Sequence, residues 1–363
     1  MSEWKECTIE SLCKNICSGG TPNRSNDSFY QNGNIPWLNT KEVSFNRIYQ
    51  TENFITELGL KSSSAKWIPA NTVIVAMYGA TAGRSAIAKI PLTTNQACCN
   101  LTIDEKKADY RFVYYTLFNQ YSYLASMANG GAQQNLNAGM IREFKINLPD
   151  LETQTKIADV LSSLDDKIEL NNQINRNLEE QVKGLYKKLL VADKNGKMGV
   201  LGDLVKVKYG KDHKKLSDGN VPVYGSGGIM RYADQYLYDK ESVLIPRKGT
   251  LNNVIYVNEP FWSVDTMFYT EMKCENIAKY VYLFLSEKNL ESLNAGSAVP
   301  SMTTDILNAM PILIPNAKSL ASFEAFAAPI YTKIAENSKE NKKLAMLRDA
   351  LLPKLMSGEI NVA

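Results

Sequence analysis

Apolar side chains recur at alternating steps of three and four along two long stretches of the chain, and the second stretch copies the first. The first ladder reads Leu161, Leu164, Ile168, Asn171, Asn175, Leu178, Val182, Leu185, Leu189. The second reads Ala327, Ile330, Ile334, Asn337, Asn341, Leu344, Arg348, Leu351, Leu355, each rung 166 positions later (355 − 189 = 166). This spacing predicts two amphipathic helices, from Thr153 to about Leu190 and from about Ser319 to Met356. At 1.5 Å per residue each is roughly 57 Å long. A 3-4 seam held over several heptads predicts coiled-coil packing. Asparagine in such a seam costs stability unless partnered, and it fixes register. Antiparallel packing would match both pairs at once: Asn171 opposite Asn341 and Asn175 opposite Asn337 (171 + 341 = 175 + 337).

The repeat continues upstream, more faintly. Phe112-Val113-Tyr114-Tyr115 answers Tyr280-Val281-Tyr282-Leu283 at an offset of 168 (280 − 112), and Val73-Ile74-Val75 answers Val243-Leu244-Ile245 at 170 (243 − 73). Asn34-Ile35-Pro36 answers Asn220-Val221-Pro222 at 186 (220 − 34), so loop lengths differ between the copies. Short β-branched runs bounded by Gly, Pro and Asn predict strands at Thr72–Ala76, Ser242–Ile245 and Asn253–Val257. One helix per globule is predicted, Asp109 to Ser122 and Ile277 to Ser286, with aromatic stripes at core spacing. The predicted fold class is α/β (α+β): two strand-rich globules separated by two long antiparallel helices forming a coiled coil, a pseudo-twofold internal repeat. The divisions are 1–150, a first globule; 151–192, a first spacer helix; 193–317, a second globule; and 318–363, a second spacer helix.

With 363 residues, 44% of them hydrophobic, the chain has material for two cores. No stretch approaches the roughly 18 uncharged apolar residues of a membrane span. Met1-Ser2-Glu3-Trp4-Lys5-Glu6 does not resemble a signal peptide, so a cytoplasmic location is expected. Six cysteines, including Cys7, Cys13, Cys17 and the adjacent Cys98 and Cys99, fit a reducing compartment; without a CxxC pair they read as small buried side chains, with no metal site expected. A net charge of +3 does not argue for nucleic acid by itself. Local density says more: Lys206, Lys208, Lys211, Lys214 and Lys215 surround Asp212, and Arg247-Lys248-Gly249-Thr250 follows a buried-looking strand. Such clusters neutralise phosphates, or simply form a solvated loop.

The sequence carries almost no signature of catalytic chemistry. Gly79-Ala80-Thr81-Ala82-Gly83-Arg84-Ser85 is one residue short of a phosphate loop and carries Arg84 in place of its lysine. Gly225-Ser226-Gly227-Gly228 lacks the spacing of a dinucleotide fingerprint. No Asn-Pro-Pro-aromatic or Asp-Pro-Pro-aromatic tetrapeptide of the amino-methyltransferases occurs, and the single histidine is His213, inside the lysine-rich loop. No catalytic residue is assigned.

Two globules, each followed by a long helix, with Gly131-Ala132-Gln133-Gln134-Asn135-Leu136 leading to Ile146-Asn147-Leu148-Pro149 and a helix that opens with Gln154, resemble the specificity subunit of type I restriction-modification systems. The second copy departs in detail: Val299 falls at the place of Gln134, and Ile314-Pro315 replaces the leucine-proline. The resemblance implies two target-recognition domains, each reading half of a bipartite, asymmetric site in double-stranded DNA, with the helices as spacer. It implies two methyltransferase subunits as partners, and restriction subunits where present. S-adenosylmethionine and ATP with magnesium would sit on those partners, leaving this chain without a bound cofactor. Base reading would fall to Arg, Lys, Asn and Gln on loops beside strands. The candidates in the first globule are Asn39, Thr40, Lys41, Tyr78, Arg84, Gln133 and Gln134; in the second they are Lys211, Lys214, Tyr224, Ser226, Arg247, Lys248 and Ser297. Ile157, Val160 and Leu170 on the first helix and Phe323, Phe326 and Leu347 on the second could dock a methyltransferase or pack on the chain's own globules. Two other readings remain: a coiled-coil adaptor binding only protein, and a self-sufficient methyltransferase or nuclease.

Overall fold

The computed structural model of the chain describes residues 4–129, 136–193, 196–293 and 300–362. Its internal contacts divide it into two units, 1–170 with 340–363 and 171–339. Each unit therefore owns one globule and a share of both long helices.

In the first unit the strands are β1 (Lys5–Thr8), β2 (Cys13–Ser18), β3 (Ile35–Leu38), β4 (Asn46–Ile48), β5 (Asn53–Ile55), β6 (Trp67–Ile68), β7 (Val73–Ala76), β8 (Ser85–Ala88), β9 (Leu92–Thr94), β10 (Cys98–Ile103) and β11 (Lys145–Leu148). One sheet runs β2-β10-β7-β8-β4, a second β5-β3-β9-β6, and β1 pairs with β11. The short helices are α1 (Ile9–Leu12), α2 (Glu57–Lys61), α3 (Tyr110–Asn119), α4 (Tyr121–Asn129) and α5 (Ala138–Glu143). The expected helix over Asp109 to Ser122 is thus two, α3 and α4, meeting at Gln120. Asp109 caps α3 by accepting from the Arg111 N–H at 2.8 Å. Strand β7 is buried on both faces, which is why its sequence is continuously apolar. Val73 and Val75 pack with Leu101 under Phe112, Val113 and Leu117 of α3. Cysteines join this interior: burial pushes the Cys13 and Cys99 thiols up to about 12, so they pack as small apolar groups.

Helix α6 (Leu151–Ala192) follows, 42 residues without a break. Asp150 caps it, accepting from Thr153 N at 2.8 Å. Gln154 is fully buried, donating to Pro149 O at 2.9 Å and accepting from Asp109 N at 3.0 Å. It ties the start of α6 to the start of α3.

The second unit holds β12 (Lys197–Val200), β13 (Val205–Tyr209), β14 (Asp218–Gly225), β15 (Gly228–Ala233), β16 (Ser242–Pro246), β17 (Ile255–Val257), β18 (Trp262–Ser263), β19 (Met267–Met272) and β20 (Pro311–Ile314), with helices α7 (Leu201–Leu204), α8 (Ala278–Ser286) and α9 (Thr304–Asn308). Its sheet β13-β19-β16-β17 repeats β2-β10-β7-β8, β15-β14-β18 repeats β5-β3-β9, and β12 with β20 repeats β1 with β11. Even the parallel step recurs: Trp37↔Thr93 in one unit, Val223↔Trp262 in the other. Helix α7 follows α1 by 192 positions (201 − 9) and Ile245 of β16 follows its register equivalent Val75 of β7 by 170 (245 − 75), so the first globule carries 22 more residues over that stretch (192 − 170). There β4 and α2 have no counterpart among the described residues, and β6 is reduced to the single antiparallel bridge Tyr238↔Phe261.

Helix α10 (Ala317–Met356) spans 40 residues. In the first unit Arg348 Nη1 lies 2.7 Å from Asp165 Oδ1 and Lys167 Nζ 3.7 Å from Glu340 Oε2, so α10 descends as α6 ascends. The second unit repeats that sense: Asn337 Nδ2 donates to Asn175 Oδ1 at 2.8 Å, while Asn316, just before α10, donates to Asp193 at the far end of α6. The two helices are antiparallel in both units, with Asn171 and Asn337 buried. The apolar ladder does not serve the helix pair alone. Leu161 and Leu355 join the first unit's core, and Val182 and Ala327 join the second's. Ile157 and Phe323, candidates for an outward docking face, are likewise taken into those cores, since each lies on the stripe facing its globule. Val160, Leu170, Phe326 and Leu347 are exposed. Among the described residues no helix is long and apolar enough to cross a membrane.

Candidate nucleic-acid interface

In the first unit β3 hands directly to a tight turn. Asn39 opens the 3-10 turn Thr40–Glu42, and the Glu42 carboxylate accepts from the N–H groups of Asn39 at 3.0 Å and Glu52 at 2.9 Å. A second 3-10 turn, Gly79–Thr81, follows Tyr78 at the exit of β7 and lies beside the first. Gly79 takes a positive φ of 76° with open space around it. Strand β3 also borders a groove of about 650 Å³ lined by Arg24, Tyr30, Trp37, Asn39, Asn53 and Asn95. Its floor is fixed: Trp37 Nε1 donates to Gly20 O at 2.9 Å, and the Tyr30 hydroxyl to Pro22 O at 2.6 Å. At its rim Asn95 Nδ2 donates to Asn39 Oδ1 at 3.4 Å, and Lys41 pairs with Glu52 at 2.5 Å.

The structure therefore brings Asn39, Thr40, Lys41 and Tyr78 to adjacent turns. Tyr78 is exposed, whereas Arg84 is partly buried and donates to Ser44 Oγ at 3.2 Å. Gln133 and Gln134 lie outside the described residues. Arg24, Asn53 and Asn95 complete the groove without a sequence signal of their own, because their loops meet only through sheet pairing.

The second unit builds the same edge from other residues. Gly210, at the exit of β13, passes so close to Val264 that a Cβ would sit 2.0 Å from its carbonyl oxygen, so only glycine fits. The next residue is held by two bonds, Lys211 N to Ser263 O at 2.8 Å and Trp262 Nε1 to Lys211 O at 3.0 Å. This leaves the side chains of Lys211 and Lys214 exposed. Lys206 and Lys208, expected beside them, sit instead on β13, where Lys208 faces Glu271 at 3.9 Å. Arg247 and Lys248 leave β16 toward Gly249, whose φ is 87° and whose Cβ position lies 3.0 Å from Ser226 Oγ. Ser226 is fastened there by Asn253 Nδ2, which donates to its carbonyl at 2.8 Å. Arg247, Lys248 and Ser226 are thus neighbours, and Ser297 lies outside the described residues.

Tyr224 departs from the expectation of a loop residue open to DNA. It belongs to β14, is only 8% exposed and packs edge-on against Phe261. Burial, then Glu259, pushes its hydroxyl well above the usual tyrosine range. The parallel pairing of β14 with β18 draws the ring inward. Tyr209 was missed: it is 54% exposed at the end of β13, with the Arg247 guanidinium 5.4 Å above its ring.

The family model described as the type I restriction modification DNA specificity domain matches residues 1–180 and again 194–320. The chain belongs to that family. Its two matched segments cover the two globules, so the repeat is a duplication of this specificity domain. Over 397 aligned residues the chain is 27% identical to the specificity subunit of the type I restriction enzyme MjaIX of Methanocaldococcus jannaschii, covering 96% of this chain and 91% of that protein. It is 22% identical to the HindI specificity subunit of Haemophilus influenzae, with 99% and 100% covered. In fold it is similar to the crystal structure of the type I restriction-modification S subunit from M. genitalium, with a TM-score of 0.60, 21% identity, and 98% and 96% of the two chains covered. DNA sequence specificity is accordingly the function of this chain's family, and DNA and the restriction-modification complex are its partners in coarse terms.

Proposed function

We propose that this chain is the non-catalytic address of a type I restriction-modification complex, its first globule reading one half of a bipartite, asymmetric DNA site and its second globule the other. The observation that carries this reading is the edge built twice: in each unit the exit of a strand of the smaller sheet meets the exit of β7 or β16, and polar side chains stand on both turns. Asn39, Thr40, Lys41, Tyr78 and Arg84, with Gln133 and Gln134, would serve one half-site; Lys211, Lys214, Ser226, Arg247, Lys248 and Ser297 the other. Within each set the exposed lysines suit phosphates, while Asn, Gln and Arg suit base edges.

On this reading residues 1–150 and 193–317 are the target-recognition domains, and the segments 151–192 and 318–363 are the spacer. Half-sites on one face of B-DNA repeat at roughly 34 Å, and a helix of 42 residues, roughly 63 Å long, is sufficient to span that step. The seam asparagines Asn171, Asn175, Asn337 and Asn341 would hold its register. Two methyltransferase subunits would dock on the chain, and restriction subunits where the host has them. S-adenosylmethionine and ATP with magnesium would be bound by those partners, in the cytoplasm.

Coexpression with the methyltransferase subunits followed by methylome sequencing tests this directly. The expected result is one motif in two specified halves around an unspecified gap, together with DNA affinity that falls steeply with salt. Methylation at a continuous site, or salt-independent association with no DNA binding, would replace it with an enzyme-like or adaptor role.

A further inference from the structure

Strand register sets the two reading edges in one frame. In the first unit Cys99 of β10 pairs with Val75 of β7 on one side and Ser18 of β2 on the other. In the second, Phe268 of β19 pairs with Ile245 of β16 and Tyr209 of β13. Two residues beyond each central partner the backbone makes the same bond: Met77 N donates to Ala97 O at 2.8 Å, and Arg247 N to Thr266 O at 2.9 Å. Arg247 therefore occupies the place of Met77, and Tyr209 the place of Ser18.

The side chains at this shared place differ in kind. Met77 is 2% exposed and belongs to the first unit's core. Arg247 is partly exposed, and its guanidinium lies over the Tyr209 ring while Nη1 donates to Asp265 O at 3.0 Å. No other hydrogen-bond partner of that guanidinium occurs among the described residues. Tyr209 itself is set edge-on against the buried Phe268 at 5.0 Å, so the stack is footed in the core. A ring on one face and a carbonyl at one corner orient the planar fork before any ligand arrives, which lowers the cost of ordering it on binding.

Resting on the function proposed above, we infer that Arg247 reads a guanine in the second domain's half-site, pre-set by Tyr209, and that the first domain has no arginine at the equivalent place. The guanidinium presents parallel N–H donors at the spacing of guanine O6 and N7 in the major groove. The neighbouring Lys211, Lys214 and Lys248 are exposed point charges and suit phosphates. The two half-sites are therefore read by different chemistry despite the shared topology.

The test uses the full chain coexpressed with its methyltransferase subunits, with motifs read by methylome sequencing for wild type, Arg247→Lys, Arg247→Gln and Tyr209→Leu. Wild type is expected to specify a G·C pair in the half-site that exchange of residues 198–315 assigns to the second domain. Arg247→Lys keeps the charge but loses the fork, and preference at that one pair falls about 5- to 150-fold. Arg247→Gln moves it toward adenine, and Tyr209→Leu weakens it partially. The first half-site stays as it was. Retained guanine preference in Arg247→Lys and Arg247→Gln, with methylation lowered evenly at all sites, would make Arg247 a phosphate anchor and overturn the inference. So would a second half-site with no specified G·C pair. A motif without two separated halves would instead overturn the function proposed above.

Discussion

In the first unit Asp165 of α6 accepts from the Tyr115 hydroxyl of α3 at 2.6 Å and from Arg348 of α10 at 2.7 Å. At the equivalent helical places in the second unit, 166 positions away (331 − 165 and 348 − 182), stand Tyr331 and Val182. Tyr331 packs against Tyr256 and Tyr282 at 4.9 and 6.1 Å, and Val182 is fully buried. A joint that is ionic in one unit is aromatic and apolar in the other. Nearby, the cation at the start of the short helix is kept but its setting changes. Arg111 of α3 pairs with Asp109 and Asp159 at a side-chain exposure of 24%, whereas Lys279 of α8 pairs with Glu241 and Glu324 at 4%. Duplicated topology thus tolerates an exchange of joint chemistry, because the frame is set by the apolar residues of β7 or β16 and of α3 or α8. The ionic joint is directional and partly wet. The aromatic joint stands beside a nearly buried lysine that pairs with two carboxylates.

Substitutions that break these joints should be felt in the order of their burial. Lys279→Met strands Glu324 and leaves Glu241 with the Tyr256 hydroxyl alone, and breaking a buried pair costs about 3–5 kcal/mol. Hydrogen exchange by mass spectrometry on the full chain should show early opening in peptides of 171–339 and none elsewhere. Adding Glu324→Leu should recover part of the loss, since removing both partners of a buried pair is far cheaper than removing one. In the first unit Arg348→Val copies the second unit's residue but leaves Asp165 with Tyr115 alone. About 1.5–3 kcal/mol should be lost, read as faster exchange in peptides of 1–170 and as a reduced salt dependence of the melting temperature. Arg111→Met should cost about 1 kcal/mol, because Asp159 reaches water and Asp109 keeps its bond from the backbone N–H of residue 111. If Arg111→Met proved as damaging as Lys279→Met, burial would not be what distinguishes the joints.

Much of this was legible in the sequence wherever the pattern is local. The 3-4 ladder marks both long helices, whose observed spans are Leu151–Ala192 and Ala317–Met356, and the strand at Val73 with its counterpart at Val243 stands out as a β-branched run. The antiparallel sense of the helices followed from matching polar rungs, and Asn175 and Asn337 do meet at 2.8 Å. What the pattern could not show is which neighbour a residue packs on. Ile157 and Phe323 look like free apolar positions on a helix wheel, yet each faces its globule. Tyr224 reads as a loop residue beside glycines, yet a parallel pairing between β14 and β18, distant in sequence, draws it inside. The stack of Arg247 on Tyr209 joins two strand ends 38 residues apart (247 − 209) and carries no local signal at all.

The most direct test of the account is reciprocal domain exchange. Residues 1–150 and, separately, 198–315 would be replaced by the corresponding segments of another specificity chain, each chimera coexpressed with the methyltransferase subunits and its motif read by methylome sequencing. The account predicts that each exchange changes one half of a bipartite motif and leaves the other half and the gap untouched. A continuous motif, or a single exchange that alters both halves together, would contradict it.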